Sequence, residues 1–177
     1  MISELKIRGA FVFTPKQFGD DRGVFLEWFK SDGFAEAAGH QLDLQQANMS
    51  VSAAGVLRGI HFADVPPGQA KYVMCPKGAV FDVVVDIRVG SPTFGQWVGE
   101  VLSADNKRQL WIPPGFAHGF LVLSDIAEFL YKTTEYYAPE CEGSFLWNDP
   151  AVGIAWPLVG DPVLSTKDAN SGLLRRT

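Results

Sequence analysis

The run PKGAVFDVVVDIRVGSP, residues 76–92, decides the fold class, because β-branched and aromatic residues from Ala79 to Asp86 stand between two turn clusters, Pro76-Lys77-Gly78 and Gly90-Ser91-Pro92. Such a run reads as one strand. Its alternation is imperfect: Val80, Phe81, Val83, Val84 and Val85 are all apolar, so the strand is expected to be buried on both faces or to sit at a subunit contact. The same grammar recurs outward. Gly9–Thr14, Val24–Trp28, Gln45–Ser52, Val56–Phe62, Gln69–Pro76, Trp97–Leu102, Gln109–Ile112, His118–Leu123 and Ala127–Thr134 read as further strands, with turns such as Pro66-Pro67-Gly68 and Pro113-Pro114-Gly115 between them. Short strands at this spacing make an all-β sandwich or barrel. Ser31–Ala38 reads as a short helix capped by Ser31 or Asp32, and Ser103–Arg108 as a helical or turn connection. The segment Pro157–Thr177 is the least patterned and is expected to pack as a short helix and loop over one end, or to fray.

The chain has 177 residues, 47% of them hydrophobic, which suits one globular domain over its whole length. Its 15 Lys and Arg and 20 Asp and Glu are mixed along the chain, giving a net charge of −5. No basic stripe offers itself to nucleic acid or to an anionic membrane, so an anionic ligand must be held by a few local cations. No apolar run approaches a membrane span and residues 1–9 lack a signal peptide's apolar core, so a cytoplasmic protein is expected. Cys75 and Cys141 form no CxxC pair and read as reduced thiols, Cys75 as a packing residue.

Histidine is scarce, at His40, His61 and His118. His61 ends Gly55-Val56-Leu57-Arg58-Gly59-Ile60-His61-Phe62, where strict alternation sets Leu57, Gly59 and His61 on one face and Arg58, Ile60 and Phe62 on the other. A bulge at Gly59 would bring Arg58 and His61 together. Upstream, Gln46, Asn48, Ser50 and Ser52 line one face of a strand, either as a solvated face or as pocket groups that orient a polyhydroxylated ligand. Lys71 stands in an otherwise apolar strand, either solvated or placed to stabilise an oxyanion. Tyr131, if it faces the same cavity as His61, completes an acid and base pair. Among the acids that could orient a base, Asp168 is one candidate that the residues alone do not rank. A metal site needs more imidazoles than His61 and His118 supply, so none is expected.

The blocks GVLRGIHF (55–62), PPGQAKYVMC (66–75), GAVFDVVVDIRVGSPTFGQW (78–97), IPPGFAHGF (112–120), YKTTEYYAPE (131–140) and WNDP (147–150) closely resemble the dTDP-4-dehydrorhamnose 3,5-epimerases over nearly the whole chain. The resemblance implies a cupin-like jelly roll, all-β with a few short helices, in a homodimer that exchanges strands. It implies cofactor-free epimerisation at C3 and C5 of dTDP-4-dehydro-6-deoxy-D-glucose to dTDP-4-dehydro-L-rhamnose, with His61 as base, Asp168 as its partner and Tyr131 as acid. Lys71 and Arg58 fall on the cations near the keto oxygen and the diphosphate. Gln46, Asn48, His118, Tyr137, Glu142 and Lys167 fall on substrate contacts, and Arg22, Phe25 and Glu27 on contacts that come from the partner subunit. Ala63-Asp64, where many members carry glutamine, and Trp28 depart from the pattern. A monoepimerase acting at C3 or C5 alone, in antibiotic-sugar synthesis, shares these motifs; a non-catalytic sugar-nucleotide-binding cupin would have lost the acid or the base.

Overall fold

Turns built on glycine and proline break the chain into strands of three to eight residues, too short to bury anything until they stack face to face. The computed structural model describes residues 1–175. In chain order the strands are β1 (Ile2–Glu4), β2 (Phe11–Phe13), β3 (Gln17–Asp20), β4 (Gly23–Leu26), β5 (Gln46–Ala53), β6 (Leu57–Ala63), β7 (Lys71–Lys77), β8 (Ala79–Asp86), β9 (Trp97–Ser103), β10 (Gln109–Ile112), β11 (Phe116–Val122), β12 (Ile126–Thr133) and β13 (Glu142–Ser144). Among the described residues two α-helices accompany them, α1 (Ser31–Ala38) and α2 (Thr166–Ala169), with a 3-10 turn at Pro139–Cys141. A six-stranded sheet in the order β1-β2-β10-β7-β12-β5 faces a five-stranded sheet in the order β13-β6-β11-β8-β9. From β5 to β12 the chain crosses between the two sheets at every step except the β8–β9 hairpin, which is the cupin-like jelly-roll arrangement.

Between the sheets lies the main core, with Val73, Val80, Val84, Leu110, Phe120 and Phe129 buried in it. The doubly apolar reading of β8 is settled by the chain itself rather than by a subunit contact. Val80 and Val84 point into the sandwich, while Val83 and Val85 point out under Phe145, Val152, Ile154 and Trp156, which the C-terminal segment lays across the five-stranded sheet. Beyond it, Pro157–Thr177 packs as a short helix, α2, and loop as far as it is described, joined to the body by the Val56–Val163 and Phe145–Gly172 bridges; residues 176–177 lie outside the described residues. On the outer face of the six-stranded sheet, α1 buries Phe34 against Phe13, Tyr72 and Trp111.

Neither Ser31 nor Asp32 caps α1. The residue before the helix is Lys30 in extended conformation, with no side-chain cap, Asp32 accepts instead from the Gly33 N–H, and Ser31 bonds Gln41. Ser103–Arg108 is a turn. The expected strand Val24–Trp28 shortens to β4, paired with β3 in a hairpin that stands apart from both sheets and leaves Phe18, Val24 and Phe25 exposed. Cys75 and Cys141 are free thiols; burial pushes the Cys75 thiol up to about 11, in keeping with a packing role. No helix among the described residues is long and apolar enough to cross a membrane.

The bulge expected in β6 is present. His61 pairs with His118 and Arg58 with Phe120, so Gly59 and Ile60 together oppose Gly119. Gly59 has φ of +130°, and a Cβ there would lie 2.6 Å from the Gly119 Cα and 3.0 Å from the His118 carbonyl oxygen. Gly59→Ala is therefore expected to cost about 2–5 kcal/mol, backbone strain and overlap adding together, which chemical denaturation measures directly.

Candidate active site

The bulge turns Arg58 and His61 to the same side, and both line a cavity of about 510 Å³ at the open end of the sandwich. His61 enters from β6 in the five-stranded sheet; Tyr131 and Lys71 enter from β12 and β7 in the six-stranded sheet. The imidazole and the phenol thus project from opposite walls. Leu57, Phe120 and Phe129 form an apolar floor, with the Phe120 and Phe129 rings stacked at 4.1 Å. The C-terminal segment closes one side: Leu57 N–H donates to the Val163 carbonyl at 3.0 Å, and Val163 N–H donates to Gly55 at 2.9 Å, which sets Val163 and Leu164 on the rim.

This strap also delivers Asp168. Ser165 caps α2 by accepting the Asp168 N–H at 3.1 Å, and the one-turn helix buries the carboxylate beside β6. Asp168 Oδ1 lies 2.6 Å from His61 Nε2, while Oδ2 accepts the Gly59 N–H at 3.3 Å. A carboxylate can only accept here, so Nε2 carries the hydrogen and Nδ1 of the neutral ring keeps its lone pair. His61 is half-buried at the cavity wall. His40 is exposed, with Nδ1 against the Gln41 carbonyl.

His118, directly across from His61, is buried and fixed by a second carboxylate, its Nε2 lying 2.8 Å and 3.0 Å from the Asp82 oxygens. Burial pushes this imidazole down and the Asp82 carboxyl up, while the charge of each partner opposes the other's shift. Asp82 was not identifiable as a site residue, although an aspartate in the middle of Val80-Phe81-Asp82-Val83 is a signal: a lone acid on an inward face needs a partner. Among the described residues no group of three metal-ligating side chains converges.

Lys71 points inward rather than into solvent. Desolvation lowers its ammonium below the ordinary range, with Asp82 and Glu142 pulling the other way. Tyr131 is half-buried; desolvation raises its phenol, and the neighbouring Asn48 side chain and the charge of Arg58 oppose the rise. Of the polar row on β5, the solvated-face reading falls away. Ser52 is buried and Gln46, Asn48 and Ser50 are half-buried, whereas Ala47, Met49 and Val51 between them are exposed. Ser52 was part of that row without a role of its own; its Oγ accepts from Arg58 Nε and Nη2 at 3.2 Å and 3.1 Å and so holds the guanidinium.

At the rim, Lys167 Nζ donates to Glu142 Oε2 at 2.5 Å and Tyr137 Oη to the same oxygen at 3.1 Å. Lys167 and Glu142 line the main cavity; Tyr137 lines an adjoining recess with His61, Lys71 and Glu142. Arg22, Phe25 and Glu27 are not brought to this cavity. Arg22 pairs with Asp20 within the hairpin, Phe25 is exposed at its side, and Glu27 borders a separate pocket beside Trp28.

Residues 4–176 match the family described as dTDP-4-dehydrorhamnose 3,5-epimerase. A dTDP-4-dehydrorhamnose 3,5-epimerase of Pseudomonas aeruginosa is 57% identical over 166 residues, 94% of this chain and 91% of that protein. A dTDP-4-dehydrorhamnose 3-epimerase of Streptomyces niveus is 52% identical over 170 residues, 96% and 82% of the two chains. Among solved structures, the Legionella pneumophila 3,5-epimerase in complex with dTDP-4-keto-L-rhamnose superposes with a TM-score of 0.94 at 50% identity, covering 98% of this chain and 92% of that one. The 4-keto-6-deoxy sugar epimerase of the Streptomyces spheroides novobiocin cluster gives a TM-score of 0.96 at 50% identity, covering 98% and 87%.

Proposed function

Because the chain belongs to the dTDP-4-dehydrorhamnose 3,5-epimerase family, we propose that it inverts C3 and C5 of dTDP-4-dehydro-6-deoxy-D-glucose to give dTDP-4-dehydro-L-rhamnose, by proton transfers that need no cofactor. The observation that carries this reading is the placing of an oriented imidazole and a phenol on opposite walls of one cavity. Inversion beside a ketone needs a base on one face of the ring and an acid on the other.

In each half-reaction His61 Nδ1 takes the proton from the carbon next to the C4 ketone. The electron pair left on carbon moves into the C3–C4 or C4–C5 bond, and the carbonyl oxygen becomes an enolate. Lys71, poised by desolvation, meets that charge, and Asp168 stabilises the imidazolium that forms. Tyr131 then gives its hydroxyl proton to the opposite face of the carbon and regains one from solvent, while the His61 imidazolium releases its proton to solvent, so that both groups are reset for the second centre. The Tyr131 phenol, raised by burial, is a proton source across neutral pH. Arg58 takes the diphosphate, while His118, Gln46, Asn48, Tyr137, Glu142 and Lys167 hold the sugar and nucleotide.

The working unit in this proposal is a cytoplasmic homodimer. Its support is the exposed apolar surface on the β3–β4 hairpin at Phe18, Val24 and Phe25, and on edge strand β5 at Met49 and Val51. In that unit Arg22, Phe25 and Glu27 of one subunit serve the site of the other.

Incubation with the dTDP-4-keto-6-deoxy sugar after exhaustive dialysis against a chelator tests both the reaction and its chemistry. The expected result is full conversion with undiminished turnover; no conversion, or conversion restored only by a divalent metal, contradicts the reading. A second reading, epimerisation at C3 alone, is favoured by the 52% identity to the Streptomyces niveus 3-epimerase. Product stereochemistry at C5 separates the two.

A further inference from the structure

Gln46 and Asn48 lie between a backbone N–H and the phenol of Tyr131, and the backbone end sets the order of donors and acceptors as far as Asn48. Tyr137 N–H donates to Gln46 Oε1 at 3.0 Å, and a backbone amide has no other polarity to offer. With its oxygen so committed, Gln46 turns Nε2 to Asn48 and donates to Oδ1 at 2.9 Å. Asn48 is the direct cross-strand partner of Tyr131, on the same inward face. With Oδ1 held toward Gln46, the amide nitrogen, which only donates, is the end of Asn48 left on the far side from Gln46.

We propose that Gln46 and Asn48 are positioning residues that set the direction of the Tyr131 hydroxyl: Asn48 Nδ2 donates to Tyr131 Oη, which turns the phenolic proton away from β5 and toward the substrate. This rests on the reading of Tyr131 as the acid and adds a function to two side chains otherwise taken only as ligand contacts. A donor facing the phenol also favours its ionised form, which is the direction Asn48 exerts on Tyr131. The second hydrogen on Asn48 Nδ2 remains for the sugar, so both roles are compatible.

Two near-isosteric substitutions reverse the order. In Asn48→Asp the new carboxylate still accepts from Gln46, but it also accepts the phenolic proton and draws it out of the cavity. In Gln46→Glu the new carboxylate keeps the Tyr137 N–H but has nothing to donate to Asn48, whose amide must flip and present oxygen to the phenol. The second substitution lies two residues along β5 from the group that contacts Tyr131, so its effect reports polarity, not lost contact.

The measurement is made in deuterated water on the dTDP-4-keto-6-deoxy sugar, comparing the rate at which deuterium enters C3 and C5 with the rate at which those centres invert. A base without a directed acid still exchanges protons from its own face, so the ratio of inversion to exchange is the quantity of interest. Weakened substrate binding lowers both rates together and leaves that ratio alone. Both substitutions are expected to lower it about 10-fold, a part of what a positioned acid contributes. Gln46→Leu, which leaves Asn48 free to turn either way, should fall between these and the wild type. An unchanged ratio in both charged variants overturns the proposal and leaves Gln46 and Asn48 as binding groups. Tyr131→Phe is the separate control: if it inverts as fast as the wild type, Tyr131 is not the acid, whatever the other variants do.

Discussion

His61→Ala is expected to lose on the order of 10³ in turnover, the scale of a positioned general base, with nucleotide binding largely kept. His61 is half-buried at the cavity wall with one nitrogen bound to a carboxylate and the other left with its lone pair. His118, the other cavity histidine, is buried and stacked on Phe129 at 6.0 Å, and its Nε2 is bound to Asp82. It is not placed to replace His61. In the proposed function the diphosphate and nucleotide contacts fall on other side chains, so calorimetric titration with dTDP should show affinity within a few-fold of the wild type. Loss of binding in step with turnover would make His61 a ligand contact instead.

Asp168→Asn is expected to cost on the order of 10²–10³ in turnover while the fold survives, because the change is one of tautomer rather than of shape. The carboxamide oxygen can still accept the Gly59 N–H, but its NH₂ then faces His61 Nε2 and donates to it. The ring proton is driven to Nδ1, so the face turned to the substrate loses its lone pair. An unshifted unfolding midpoint with this loss of turnover is the signature. Equal activity would mean that Asp168 only pins the C-terminal strap. Asp168→Ala is a poorer probe, since it also removes the bond to the bulge.

How much of this was legible in the chain depends on how local each feature is. The strands were legible because their limits are set by nearby glycine and proline, and the bulge because Gly59 interrupts a strand that carries Arg58 and His61. The β3–β4 hairpin was half legible, since strand composition marks Val24 and Phe25 but nothing local says that the hairpin leaves both sheets. Strand β8 shows the limit more clearly. Its run of valines announces two buried faces but not what covers the second, which is Phe145, Val152, Ile154 and Trp156, sixty residues or more further along the chain. The union of His61 with Asp168, 107 residues apart, is of the same kind. Nothing in Ser165-Thr166-Lys167-Asp168 ranks it above other acids until the Val56–Val163 bridge lays the strap along β6. Resemblance supplied that pairing; the residues did not. The polar row on β5 was ambiguous for a different reason. Alternation gives two faces but not which is inside, and here the polar face is the inner one, with Ser50 at the cavity wall.

In the proposed reaction one base and one acid on opposite walls invert two centres beside a ketone. Incubating the dTDP-4-keto-6-deoxy sugar with the wild-type protein in deuterated water and following C3 and C5 by proton NMR reads both inversions at once. Deuterium at both carbons, with inverted configuration at each, is the expected result. Deuterium at C3 alone would make the protein a monoepimerase, and deuterium at neither carbon would overturn the two-wall mechanism.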